Sequence, residues 1–229
     1  MIPQPELLTD ELDLIRRVLP GPGADVLDPG YGEGKLLRRL AQEGIRVVGV
    51  EVDGAAVAGA GEDIRIYEGR AEDLPFEDAS FDLILMLKSL HHVAVAAMPQ
   101  AFVELARVLR PSGLLYCWEP VFAGPFNDIV RLFHDEQAER RAALNALHDA
   151  AAEGAFELID ERLYRTEVSF QDFDDFARRM FHLPTLTRPV KGQVLLDVHA
   201  AWQRIGVPLD GKFQRLMRLT LLRRAQSTI

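Results

Sequence analysis

The sequence predicts an α/β fold with a mostly parallel, doubly wound sheet, and three patterns predict it. In the first half, strand-like and helix-like segments alternate, which is the signature of βαβ units. Arg46 to Val50 is apolar almost throughout, as expected for a strand buried on both faces. A cluster of glycines follows the first such strand directly and opens a helix, the place where open α/β sheets bind ligands.

Glu6 to Leu19 reads as an opening helix, with Leu7, Leu8, Leu12, Ile15 and Leu19 at helical spacing, closed by Pro20-Gly21-Pro22-Gly23. The first strand is Ala24 to Asp28, and Lys35 to Glu43 is the helix after it, ended by Gly44. Further strands are expected at Arg46–Val50, Ile64–Glu68, Phe81–Leu87 and Leu114–Trp118. A helix from Gln100 to Leu109 is stopped by Pro111 and Gly113. In the second half, Asp128 to Ala152 reads as one helix and Phe156 to Ser169 as a strand region. Ser169 with Asp172 resembles a capping box for a helix carrying Phe173, Phe176 and Met180. A helix over Pro189–Ile205 and a strand over Phe213–Leu222 complete the chain. The pattern fits one domain over 1–229, with a core over 1–120, helices and a strand over 121–210, and a closing strand over 211–229.

Composition narrows the function classes. The chain has 229 residues, 48% of them hydrophobic, enough to fill a substantial core. No apolar run approaches the roughly 20 residues that cross a bilayer, so membrane insertion is not expected. Met1 to Glu6 lacks the basic and apolar stretches of a signal peptide. Cys117 is the only cysteine, which excludes an intrachain disulfide and suits a reducing, cytoplasmic setting. A net charge of −9 argues against broad nucleic-acid binding. Arg215, Arg218, Arg223 and Arg224 read as a solvated strand face.

The chemistry centres on Val26-Leu27-Asp28-Pro29-Gly30-Tyr31-Gly32-Glu33-Gly34. Glycines there let the backbone turn sharply and let a ligand approach closely, while the new helix directs free N–H groups at the same place. A dinucleotide site would want G-x-G-x-x-G, but the third glycine falls one residue early and Lys35 takes its position. Asp28 would repel a phosphate. It suits a ligand carrying positive charge, such as an ammonium or a sulfonium. Glu51, ending the second strand in Gly49-Val50-Glu51-Val52-Asp53, is placed to accept hydrogen bonds from ribose hydroxyls. Gly69-Arg70-Ala71-Glu72-Asp73 ends the third strand at the same edge.

In this order the elements resemble the class I S-adenosylmethionine (SAM)-dependent methyltransferases, and more narrowly the group that includes quinone-biosynthesis C-methyltransferases. Val26–Gly34 resembles the family's glycine-rich motif and Val47–Val52 its ribose motif. Ala71–Phe76, Leu90-His91-His92-Val93 and Arg107–Leu114 resemble its later landmarks. The resemblance covers about Pro22 to Pro120. It implies a Rossmann-like, seven-stranded sheet with the last strand antiparallel, SAM as cofactor and a small-molecule acceptor. It also implies that Asp28 and the backbone of Gly30, Tyr31, Gly32 and Gly34 hold the methionine part, that Glu51 holds the ribose, that Ala71 offers its backbone N–H to the adenine, and that Val52, Glu72 and Leu87 belong to the cofactor site as well.

Three residues depart from the family pattern. Arg70 stands where an acidic residue is frequent, leaving Glu72 or Asp73 to replace it. Tyr31 replaces a small residue, and Lys88 stands where an apolar one is usual.

Methyl transfer needs alignment and water exclusion more than a fixed triad. The candidates for a base are His91 and His92 after the fourth strand and Glu119 after the fifth. His134 and Tyr31 are looser candidates. No metal ligand set is placed, and the N-P-P-aromatic motif of base methylation is absent, with Met86-Leu87-Lys88-Ser89 in its stead. Phe126, Phe133, Phe173, Phe176, Met180 and Phe181 read first as helix packing and second as an acceptor pocket. The alternative function is a SAM-binding protein without methyltransferase activity, acting as sensor or partner subunit. The acceptor and the oligomeric state are not legible.

Overall fold

The computed structural model describes residues 4–52 and 64–226. Asp53 and the first three residues, on which two of the expectations above fall, lie outside them. The elements in chain order are β1 (Glu6–Leu8), α1 (Leu12–Arg16), β2 (Asp25–Pro29), α2 (Lys35–Gln42), β3 (Arg46–Glu51), β4 (Arg65–Glu68) and β5 (Phe81–Leu87). They continue with α3 (Met98–Val108), β6 (Leu109–Pro120), α4 (Pro125–Val130), α5 (Gln137–Ala152), β7 (Phe156–Ser169), α6 (Phe173–Met180), α7 (Gln193–Ala201) and β8 (Lys212–Arg224). The strands form one sheet in the order β1-β7-β8-β6-β5-β2-β3-β4.

Strand β2 lies between β5 and β3 and pairs parallel with both, Val26 opposite Leu83 and Val47. Further out, β4 pairs parallel with β3 and β6 parallel with β5. Strand β8 is antiparallel. Phe170 N–H donates to Gly211 and Ala225 N–H to Ala155, so β7 and β8 run in opposite senses. Val121 N–H donates to Leu216 at one end of β6, while Arg224 reaches the Leu109 carbonyl at the other.

The chain divides into two compact units. The larger comprises Asp10–Glu119, Glu139–Arg162 and Arg218–Ile229. Its central strands alternate between two buried faces: Leu27, Ile84, Met86, Leu115 and Cys117 join α3 and α5 in one cluster. Val26, Leu83, Leu85 and Tyr116, one residue out of phase, are fully buried too. This double burial is why the strands are apolar throughout. The smaller unit comprises Met1–Thr9, Pro120–Ala138 and Leu163–Met217. Its core is aromatic: Phe170, Phe176, Trp202 and Phe213, with Phe126, Phe133, Phe173, Met180 and Phe181 packed around them. The apolar residues singled out in this half therefore pack helices first.

Several boundaries differ from expectation for local reasons. The opening helix is confined to α1, because Asp10 Oδ1 accepts from Leu12 N–H at 3.1 Å and starts it there. Residues 6–8 instead pair with Tyr164–Thr166 of β7, giving eight strands where seven were expected. The 128–152 helix is interrupted, and α5 begins where Asp135 Oδ1 accepts from Gln137 N–H. The cap of α6 is Asp172 itself, accepting from Asp175 N–H at 2.8 Å, with Ser169 left in β7. Strand β6 begins at Leu109 and absorbs the Pro111–Gly113 turn as a bulge opposite Asp82. The late arginines are engaged locally: Arg218 and Arg223 pair with Glu161 and Glu157 of β7, and Arg215 lies over Phe126.

At the amino-terminal edge of the central strands, Arg110 binds Asp25 at 2.8 Å and Asp82 at 2.6 Å, while Arg46 also binds Asp25. The Arg46 guanidinium, and after it that of Arg110, holds the Asp25 carboxyl down from 3.8 to about 2 against the opposing effect of burial. A lowered folded-state pKa contributes stability that is present above the unfolded value and lost as pH falls through the folded one. Asp25→Asn is expected to cost about 1–2 kcal/mol at neutral pH. The loss should vanish in urea titrations taken from pH 3.8 down to about 2, the window of Asp25 itself.

Candidate functional site

Strand β2 ends in a turn that only glycines adopt easily: Gly30, Gly32 and Gly34 have φ of 87°, 57° and 63°. At Gly30 a second constraint adds to the first, since a Cβ there would lie 2.7 Å from the Cβ of Ser89. The loop after β5 thus sits directly on the turn after β2. Gly34 is followed at once by α2, whose first N–H groups face this end of the sheet.

Asp28 is the chemical centre. It is 2% exposed, and its Oδ1 has no hydrogen-bond partner among the described residues. Ser89 Oγ, also buried and set against Gly30, has none either. Burial pushes the Asp28 carboxyl well above its ordinary range, the charges of Glu11 and Glu51 push it further, and Lys88 opposes them. A buried carboxyl without a partner is costly, and a ligand group that donates to it would offset that cost.

Glu51 closes β3 with its carboxylate on the same turn. Oε2 accepts from Gly32 N–H at 3.3 Å and Oε1 from Val52 N–H at 2.9 Å. Each oxygen keeps a lone pair for an external hydroxyl. Val52 itself is exposed, so its backbone rather than its side chain faces Glu51.

Tyr31 does not stand across the turn. Its ring lies where a Cβ on Gly49 would be 2.7 Å away and one on Gly34 3.2 Å away. The glycine in β3 makes the space that the tyrosine fills, and the ring is buried there.

The loop after β4 forms a groove of ≈ 500 Å³ lined by Glu68, Gly69, Arg70, Asp73 and Pro75. Ala71 is buried beneath it, and Glu72 is half-buried, 3.9 Å from Arg70. Arg70 is exposed and lines the groove beside Asp73, so an acidic group is present one turn from where the arginine stands. Arg107 of α3 holds this loop through the carbonyls of Phe76 (2.6 Å) and Leu74 (3.0 Å), while Glu104 accepts from Leu74 N–H. The hydrogen bond to Glu104, and then that to Asp78, raises the Arg107 pKa.

Beyond β5 the chain turns through Leu90–His92. Glu119, at the end of β6, grips this turn twice, accepting from Leu90 N–H at 2.9 Å and contacting His91 Nδ1 in a short hydrogen bond. His91 is buried and His92 exposed, with ring centroids 4.0 Å apart. Leu87 is half-buried at the end of β5, opposite Trp118. His134 belongs to the smaller unit, where Glu136 and Thr185 hold its Nε2.

All the cofactor-side residues expected from sequence therefore lie at the carboxyl ends of β2, β3, β4 and β5. Sequence reasoning missed Ser89 and Glu11. Neither carries a local motif, and only the packed loops bring Glu11 within electrostatic reach of Asp28 and Ser89 against Gly30.

Residues 27–117 match the methyltransferase domain family. An uncharacterized methyltransferase of Mycobacterium tuberculosis is 38% identical over 102 residues, covering 43% of this chain and 40% of that one. The demethylmenaquinone methyltransferase of Tropheryma whipplei is 32% identical over 158 residues, covering 65% of this chain and 64% of that one. A SAM-dependent methyltransferase structure from Methanosarcina mazei superposes with a TM-score of 0.61 at 17% identity, covering 96% of this chain and all of the other. This is the class I methyltransferase fold. The chain spans less than two thirds of the length of the curated relatives it matches.

The methyltransferases of this class use S-adenosyl-L-methionine, and the residues present fit it. The orphaned Asp28 oxygen is an acceptor for an ammonium, Ser89 Oγ offers a polar contact beside it, and Glu51 retains capacity for ribose hydroxyls. Among the described residues, no helix is long and apolar enough to cross a membrane.

Raising a buried carboxyl's pKa has a stability consequence of fixed sign. Its contribution is favourable below the unfolded pKa and is lost as pH rises through the folded one. Asp28→Asn is therefore expected to stabilise the ligand-free chain near neutral pH by about 1 kcal/mol, roughly 2–4 °C in Tm for a domain of this size. Thermal melts showing the variant less stable would mean that Asp28 is satisfied in the free chain.

Proposed function

We propose that the chain transfers the methyl group of S-adenosyl-L-methionine to a small-molecule acceptor. The observation that carries this reading is the buried Asp28, its Oδ1 without a partner among the described residues, just before a glycine turn that Ser89 abuts and Glu51 binds. The bound cofactor supplies an electrophilic methyl on a sulfonium. The chain's own residues then bind, align and exclude water, which is where most of the barrier reduction in such displacements arises.

In this reading Asp28 accepts from the cofactor's ammonium, and the N–H groups of the Gly30–Gly34 turn hold the rest of its amino-acid part. Glu51 receives the ribose hydroxyls, with Val52 fixing its carboxylate. The Ala71–Asp73 loop, clamped by Arg107, and Leu87 border the base. Residues 1–120 hold the cofactor and 121–210 select the acceptor, in a protein working in the cytoplasm.

His92 is the base where the acceptor must lose a proton, because it is the exposed ring of the pair. His91 and Glu119 position it: Glu119 fixes the His91 ring, and His91 packs on His92. The Tropheryma relative's name makes reduced quinones and phenols the first acceptors to try.

Isothermal titration with SAM and S-adenosylhomocysteine tests the cofactor site. Micromolar affinity in the wild type, weakened at least roughly tenfold in Asp28→Ala and in Glu51→Ala, is expected. A well-folded wild type that binds neither ligand would end the proposal. With an acceptor found by transfer of labelled methyl, His92→Ala should lower kcat by about 10²–10⁴ without weakening SAM binding. Unchanged kcat across the pH profile would remove His92 as a base.

A further inference from the structure

Lys88, the residue that breaks the family pattern at the end of β5, has φ of 61°, a left-handed conformation that long side chains seldom adopt. It is held there by its N–H, which donates to the Trp118 carbonyl at 2.8 Å. Its Nζ lies 3.6 Å from Glu11 Oε2, a loose, partly exposed ion pair of the kind that contributes little. That pair does not account for the strain. Strained backbone persists where surrounding structure imposes it, and it concentrates at binding sites.

The surroundings define what Lys88 is for. The next residue, Ser89, abuts the Gly30 turn and has a buried, unpartnered Oγ. The charges acting on Asp28 are those of Glu11, Glu51 and Lys88. Of the groups acting on Asp28, Lys88 is the cation, and Glu11 is its ion-pair partner. A purely cationic ligand would be repelled by Lys88, and a neutral one would gain nothing from it. A zwitterionic α-amino-acid head is matched at both ends: its ammonium by Asp28, its carboxylate by Lys88.

We propose that Lys88 is the specificity-determining residue that receives the carboxylate of the cofactor's amino-acid head, and that Glu11 holds its ammonium in place until the ligand arrives. On binding, the Lys88–Glu11 contact is exchanged for Lys88–carboxylate. This inference rests on the cofactor reading above and adds to it a residue acting on one ligand group.

The test compares two ligands on the intact chain by calorimetry: S-adenosylhomocysteine, and 5′-methylthioadenosine, which keeps the nucleoside thioether and lacks the amino-acid head. Lys88→Met should weaken S-adenosylhomocysteine by roughly tenfold or more and leave methylthioadenosine within about twofold. Lys88→Gly guards against misfolding, because glycine relaxes at this φ. It should melt at a higher temperature than wild type and still show the same selective loss. Glu11→Gln should bind S-adenosylhomocysteine more tightly. Equal weakening of both ligands would make Lys88 a structural residue, and unchanged S-adenosylhomocysteine affinity would remove the assignment while leaving the cofactor site intact. Wild type binding neither ligand would instead overturn the cofactor reading and this inference with it.

Discussion

A carboxyl buried without a partner is the constraint around which the larger unit is arranged. Asp28 is the penultimate residue of the middle parallel strand, which is paired on both sides, and it is almost fully buried. Keeping such a group costs stability. The cost is met by the apolar double-faced core beneath it, where Val26, Leu27, Leu83 and Ile84 are fully buried. A strand position that weakens the free fold and faces a glycine turn is characteristic of a ligand site rather than of a packing accident.

The same carboxyl decides the class of ligand. A glycine turn feeding a helix offers N–H groups to phosphates as readily as to amino-acid heads. Here Asp28 sits under the charges of Glu11 and Glu51, carboxyls that disfavour a pyrophosphate and favour a ligand ammonium. Lys88, the cation that acts on Asp28, is held in a left-handed backbone conformation. Charge sign, not loop shape, separates this site from a dinucleotide site.

Two substitutions that look disruptive in the sequence are absorbed by their surroundings. Tyr31 is accommodated because Gly49, one strand away, leaves room for its ring. Arg70 is exposed and shares its groove with Asp73, so acidic character returns from a neighbouring position. The motif Arg107–Leu114 likewise acquires a physical meaning. Arg107 holds the loop after β4, and Arg110 ties Asp25 to Asp82 at the opposite edge of the sheet.

The sequence by itself determined the α/β class, the parallel central strands and the strand-end positions of Asp28, Glu51 and Ala71. Apolar runs, glycine turns and helical periodicity are local signals, written within a few residues of where they act. It misread residues 6–8 as helix, because two leucines fit either period until β7 offers a hydrogen-bonded neighbour. It also merged α4 with α5, since a break set by Asp135 capping leaves little mark on apolar spacing. Only the tertiary structure decided that Asp28 Oδ1 lacks a partner among the described residues, that Ser89 abuts Gly30, that Tyr31 rests on Gly49 and that Glu119 grips His91. Each of these depends on segments far apart in sequence brought to one sheet edge, and pairwise burial and charge across such distances leave no periodic trace in a single chain.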